Sequence, residues 1–215
     1  MKKTFALILL ILFAFWLAPA AYADWRYGIS ASYDNTGATW TVDNETHGTR
    51  NISGFSIGPT IAYEVVDYFS VQSGLYFSMN GFATAGHSYI LGMEVKAIET
   101  ARLFYLQLPV YAVGQLPLKN DALLLLEVGP HLACGVASHI TTEIELADRT
   151  ETQQSSSAFE EDLSRFNAAM HFGIGAEYMG ARIMLGYNLG LYNMALKKDT
   201  ELRSGGFFVS VGYMF

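Results

Sequence analysis

The chain has 215 residues, 13 of them Lys or Arg against 20 Asp or Glu, a formal net charge of −7, with 51% hydrophobic residues. That length suits one domain. The acidic balance excludes a nucleic-acid binder, because neutralising phosphates takes clustered Lys and Arg. The single cysteine, Cys134, excludes an intrachain disulfide and any cysteine-built metal centre.

Lys2 and Lys3 precede an apolar run from Phe5 to Leu17, and Ala21-Tyr22-Ala23 follows it. A charged start, a short apolar core and a small-x-small site are the parts of a cleavable signal peptide. The run falls short of the roughly 20 apolar residues a spanning helix needs. Residues 1–23 are therefore expected to be removed, and residues 24–215 to form the mature domain.

Eight alternating segments follow. They run from about Trp25 to Asp34, Gly54 to Val65, Phe69 to Asn80, Arg102 to Val113, Ala122 to Ser138, Phe166 to Tyr178, Ala181 to Tyr192 and Gly206 to Phe215. In the first, Trp25, Tyr27, Ile29, Ala31 and Tyr33 share one face, and Arg26, Gly28, Ser30 and Ser32 share the other. Side chains alternate across a strand, so each segment offers one apolar face and one small or polar face. Most segments reach the nine residues a tilted membrane strand needs.

The connections alternate as well. Those at 35–53, 82–101, 139–165 and 193–205 are long. Those at 66–68, 114–121 and 179–180 are short. Long outer loops and short periplasmic turns belong to outer-membrane barrels, and the last segment, ending on Phe215, resembles their C-terminal assembly signal. The expected fold is all-β: an eight-stranded antiparallel up-and-down transmembrane β-barrel in the outer membrane of a Gram-negative cell, behind a signal peptide.

Three stretches narrow the resemblance: Val71-Gln72-Ser73-Gly74-Leu75-Tyr76-Phe77-Ser78, Tyr105-Leu106-Gln107-Leu108-Pro109-Val110 and Glu127-Val128-Gly129-Pro130-His131-Leu132. In this order they resemble the hallmark strands of PorT-like outer-membrane β-barrel domains, with an architecture similar to OmpX and the OmpA barrel. The resemblance implies a fold. It brings no catalytic residues with it, and it allows an accessory role in a secretion system.

Two residue sets carry what the fold would do. The expected interior polar network is Arg26, Glu64, Gln72, Gln107, Glu127, His131, His171, Glu177 and Arg182. A lumen of eight strands is just wide enough for side chains to fill, and buried charges need partners. With Met179-Gly180 as the turn, Glu177 and Arg182 face each other. Arg26 and Glu64, near the ends of neighbouring strands, are positioned to pair likewise. His131, His171 and Glu127 lack metal-ligand spacing, so hydrogen bonding is expected there and neither metal nor cofactor. The second set is two aromatic belts at the membrane interfaces: Trp25, Tyr63, Phe69, Tyr178, Tyr213 and Phe215 at one, Tyr33, Phe55, Phe77 and Phe207 at the other.

The expected partners are outer-membrane lipid, lipopolysaccharide and the barrel-assembly machinery, the last engaging the C-terminal strand. An extracellular ligand or envelope protein has no chemistry that the sequence names. The expected role is non-enzymatic, envelope-structural or surface-binding through long loops. The acidic, Ser-rich stretch 141–165 is read as a solvated loop. A lipid A-modifying enzyme is the competing class. It needs a nucleophile and a base in reach, yet Ser138 and His139 are neighbours on a strand and point to opposite faces.

Overall fold

A computed structural model describes residues 25–42, 45–90, 93–146, 149–155, 158–161, 163–197 and 200–215. The expected signal peptide, and Asp148 and Asp162 of the acidic stretch, lie outside the described residues. Eleven strands form one sheet: β1 (Trp25–Val42), β2 (Glu45–Gly48), β3 (Arg50–Val66), β4 (Phe69–Gly74), β5 (Tyr76–Ile90), β6 (Met93–Pro117), β7 (Ala122–Leu146), β8 (Arg149–Ser155), β9 (Phe166–Tyr178), β10 (Ala181–Gly190) and β11 (Thr200–Met214). Among the described residues one short helix, α1 (Ala158–Glu161), stands outside the sheet.

The sheet closes on itself. β1 pairs antiparallel with β3 on one edge and with β11 on the other, and β10, β9, β7, β6 and β4/β5 complete a ring of eight staves. β4 and β5 are one stave broken at Leu75. Its two neighbours explain the break: Pro59 of β3 and Pro109 of β6 flank this point, and neither has an N–H to offer the ladder. Leu75 N still donates to Pro59 O at 3.3 Å, and Ser73 Oγ donates to Pro109 O at 2.8 Å. Pro130 leaves a similar gap between β6 and β7.

The short connections are tight turns. Met179 and Gly180 both take positive φ, 50° and 82°, as a two-residue type I′ hairpin requires. Asn120 and Asp121 supply the same left-handed geometry between β6 and β7, at 61° and 59°.

The long connections differ from the expectation of loops. β6 and β7 each run 25 residues, and β5 stays paired to β6 as far as Ile90↔Met93. β8 pairs with β7 from Leu146↔Arg149 to Ile140↔Ser155. At about 3.3 Å per residue a 25-residue strand extends roughly 80 Å, far beyond a bilayer even when tilted. Most of stretches 82–101 and 139–155 is thus hairpin arm, continuing the barrel ladder on one side.

The outer wall of the barrel is apolar. Ile29, Leu108, Ile183 and Val211 are each about half exposed, as are most outward-facing apolar side chains of the staves. Water would not tolerate so continuous a surface, whereas lipid requires it. A β-bulge near Gly135 shifts the register between β6 and β7, so Val136 and Ala137 both face out and Ser138 turns in.

Candidate functional site

The lumen is filled at three levels. At the turn end, alternation brings Arg182 of β10 and Glu177 of β9 opposite each other in the ladder. Arg182 Nε donates to Glu177 Oε2 at 2.5 Å, and its Nη1 donates to Gln72 Oε1 of β4 at 2.6 Å and lies 3.9 Å from Glu127 Oε1 of β7. Arg26 of β1 holds the other oxygen of Glu177 and approaches Glu64 of β3 at 3.6 Å. One connected network therefore ties six staves together. Its members Gln72, Glu127, Glu177 and Arg182 are almost fully buried. A buried charge survives only when paired and hydrogen-bonded, and the paired carboxylates here meet that condition.

The middle level centres on His171 of β9. Its ring is stacked between Tyr111 (centroids 4.1 Å apart) and Phe208 (4.5 Å). Nδ1 donates to Asn188 Oδ1 at 2.9 Å, which fixes the ring plane, and Nε2 lies 3.5 Å from Glu127 Oε2. Above it is a cavity of about 100 Å³, lined on one wall by Ser32, Asp34, Ser56 and Asn80 and on the other by His131 and Asn167.

The third level, at the arm end, is apolar. Phe159 of α1 and Leu163 turn back into the barrel mouth and pack with Leu103, Tyr105, Met194 and Leu202. Phe159 meets Tyr105 edge-on at 5.6 Å. The segment is pinned by backbone bonds from Gly135 N to Arg165 O at 2.6 Å and from Ser164 N to Met194 O at 2.8 Å. Thus part of the stretch read as a solvated acidic loop is a hydrophobic stopper.

The nine residues expected in a polar network all face the lumen, but not as one cluster. Arg26, Glu64, Gln72, Glu127, Glu177 and Arg182 meet at the turn end, and His171 joins through Glu127. Gln107 and His131 line the cavity, whose floor Gln72, Glu127, His171 and Arg182 of that cluster also line. Among the described residues, no group of three or more His, Cys, Asp or Glu is arranged to hold a metal ion. The sequence reading missed Asp34 and Asn80, although each continues an inward alternation, after Ser32 and after Ser78. It also missed Phe159, Leu163 and Met194, which carry no periodic signal.

The ten belt aromatics all lie outside the lumen. Trp25 and Tyr63 are cross-strand partners with rings 4.8 Å apart, and Tyr213 and Phe215 sit at 5.3 Å. Phe69 and Tyr178 are at the same end. At the other end Phe55 contacts Phe77, Tyr33 is the ladder partner of Phe55, and Tyr187 contacts Phe207. Phe104, stacked on Phe77 at 6.0 Å, and Phe166 against Tyr192 at 5.0 Å extend this second group.

Among solved structures the chain is similar to Ail, the attachment invasion locus protein of Yersinia pestis, with 13% identity, 87% of this chain and 98% of that one covered and a TM-score of 0.35. Neisserial surface protein A is similar at 12% identity, 90% and 99% coverage and a TM-score of 0.40, and OprG from Pseudomonas aeruginosa at 13%, 90% and 95%, and 0.30. No curated protein matches the chain. The family model described as outer membrane protein beta-barrel domain matches residues 5–215. That match takes in every stave of the ring, and the chain accordingly belongs to the outer membrane protein beta-barrel domain family and resides in the outer membrane.

Proposed function

We propose that this protein is a non-conducting, non-enzymatic barrel that supports the envelope or binds partners at the cell surface through its hairpin arms. The observation that carries this reading is the double closure of the lumen, by ion pairs at the turn end and by the Phe159 stopper at the arm end. With transport through the barrel blocked at two levels, the exposed chemistry lies on the arms, where Thr152, Gln153 and Gln154 of β8 face solvent. Ser138 is buried toward the lumen and His139 faces the other way, which disfavours a lipid A-modifying enzyme built on that pair.

The partners follow from the surface. Trp25, Tyr63, Phe69, Tyr178, Tyr213 and Phe215 would sit at the periplasmic interface. Tyr33, Phe55, Phe77 and Phe207 would meet the lipopolysaccharide leaflet. β11, whose outward residues Phe207, Val209, Val211 and Tyr213 are all apolar, is the strand offered to the barrel-assembly machinery. A second reading, an accessory barrel of a secretion system, is supported by the PorT-like stretches, which lie on adjacent staves, β4/β5, β6 and β7. Loss of an exported protein from the medium on gene deletion would favour it.

Cysteine labelling of intact cells tests the topology. In a Cys134→Ser background, Thr152→Cys should react with a membrane-impermeant maleimide, and Lys119→Cys should react only after permeabilisation. The reverse pattern would overturn surface presentation by the arms.

A further inference from the structure

The cavity between the two closures is a built site with unmatched chemistry. On its β1/β3/β5 wall, Asp34 is almost fully buried, and its recorded partner is a hydroxyl: Ser32 Oγ donates to Asp34 Oδ2 at 2.9 Å. Ser32 Oγ also contacts Ser56 Oγ at 2.7 Å. Gly54, the ladder partner of Asp34, packs closely against β5: a Cβ there would stand 2.2 Å from Met79 O and 3.3 Å from Asn80 Oδ1, which puts Asn80 on this wall. The wall therefore presents an oxygen-rich patch. Asn80 Oδ1 is buried and without a hydrogen-bond partner. Across the cavity, His131 Nδ1 and Asn167 Oδ1 are likewise unpartnered, on side chains each 7% exposed.

The charges do not balance either. Three carboxylates buried in the lumen, Asp34, Glu127 and Glu177, face two guanidiniums, Arg26 and Arg182, whose ion pairs are made with Glu64, Glu127 and Glu177 at the turn end, although Arg182 Nη2, on the same cavity, is itself without a hydrogen-bond partner. Asp34 faces the His171 ring only at longer range, and a buried carboxylate without a close positive, hydrogen-donating partner is costly.

We propose that this chamber binds a small primary ammonium compound, its –NH₃⁺ group held by Asp34, Asn80 and Asn167. An ammonium group has three donors and no acceptor, which matches the Asp34 carboxylate and the unpartnered Asn80 and Asn167 oxygens on the two facing walls. An alkali cation shares the charge but not the directed donors. Size bounds the rest of the molecule. A cavity of about 150 Å³ takes benzene, so one of about 100 Å³ takes an amine of roughly four heavy atoms. The rings of Tyr111 and Phe208 on the cavity wall would cover its carbon.

The test uses the full barrel in detergent micelles, titrated with methylammonium and ethanolamine, with sodium and potassium chloride at matched ionic strength as separate arms. Saturable amine binding is expected, and Asp34→Asn should weaken it at least about tenfold, the loss of one charge-assisted hydrogen bond. Heat-modifiable gel migration would verify that the variant folds. On the wild-type barrel alone, ¹³C-methylammonium should show cross-peaks to aromatic ring protons. Equal effects of sodium or potassium, equal affinity of a folded Asp34→Asn, or no saturable binding with no cross-peaks would each overturn the proposal.

Discussion

Arg182 donates to Glu177 and Gln72 and faces Glu127, so one guanidinium serves three side chains from three staves. Arg182→Ala should therefore cost about 3–5 kcal/mol, the range seen when one partner of a buried ion pair is removed. Urea unfolding in lipid vesicles would measure it, and a loss below about 1 kcal/mol would mean that Arg26 alone satisfies Glu177. This pair was legible in the sequence, because a two-residue turn at Met179-Gly180 puts Glu177 and Arg182 in register on the same face. Asp34 was less legible. Its parity marks it as inward, but Asp at the edge of an alternating run also reads as the start of a loop. The separation of His131 from the Arg182 network was not legible at all, since alternation gives the face of a side chain and not its height in the barrel.

The eight staves emerge from alternation because lipid and lumen impose opposite chemistry on successive residues. Two features at this scale come from partners distant in sequence. The break at Leu75 arises from Pro59 and Pro109, whose missing donors matter only once the strands are neighbours. The stopper arises from Phe159 and Leu163, isolated apolar residues in a polar, acidic stretch whose value depends on Tyr105 and Met194 across the lumen. The arms were hidden for another reason. Glu151-Thr152-Gln153-Gln154-Ser155 of β8 is exposed at every position, and so on both faces, and shows no hydrophobic period. Gly135 makes the stopper testable. A Cβ there would come within 2.5 Å of the Phe159 ring, and Gly135 is bonded through its backbone to Arg165. Gly135→Ala should expel the segment, so that trypsin cuts at Arg165 much faster while the barrel keeps its heat-modifiable migration. Unchanged cleavage would mean that the ring accommodates the methyl group by a small shift.

At the scale of the molecule, closure of the sheet leaves no free edge within the apolar band, and the lumen is a core rather than a channel. Ion pairs hold one end, an apolar segment packs into the other, and the chamber lies between them. The central claim is that this closed barrel conducts nothing on its own. Purified protein in planar bilayers tests it directly. No stable conductance steps are expected from the wild-type protein. Reproducible porin-size steps from the wild-type protein would contradict the filled lumen.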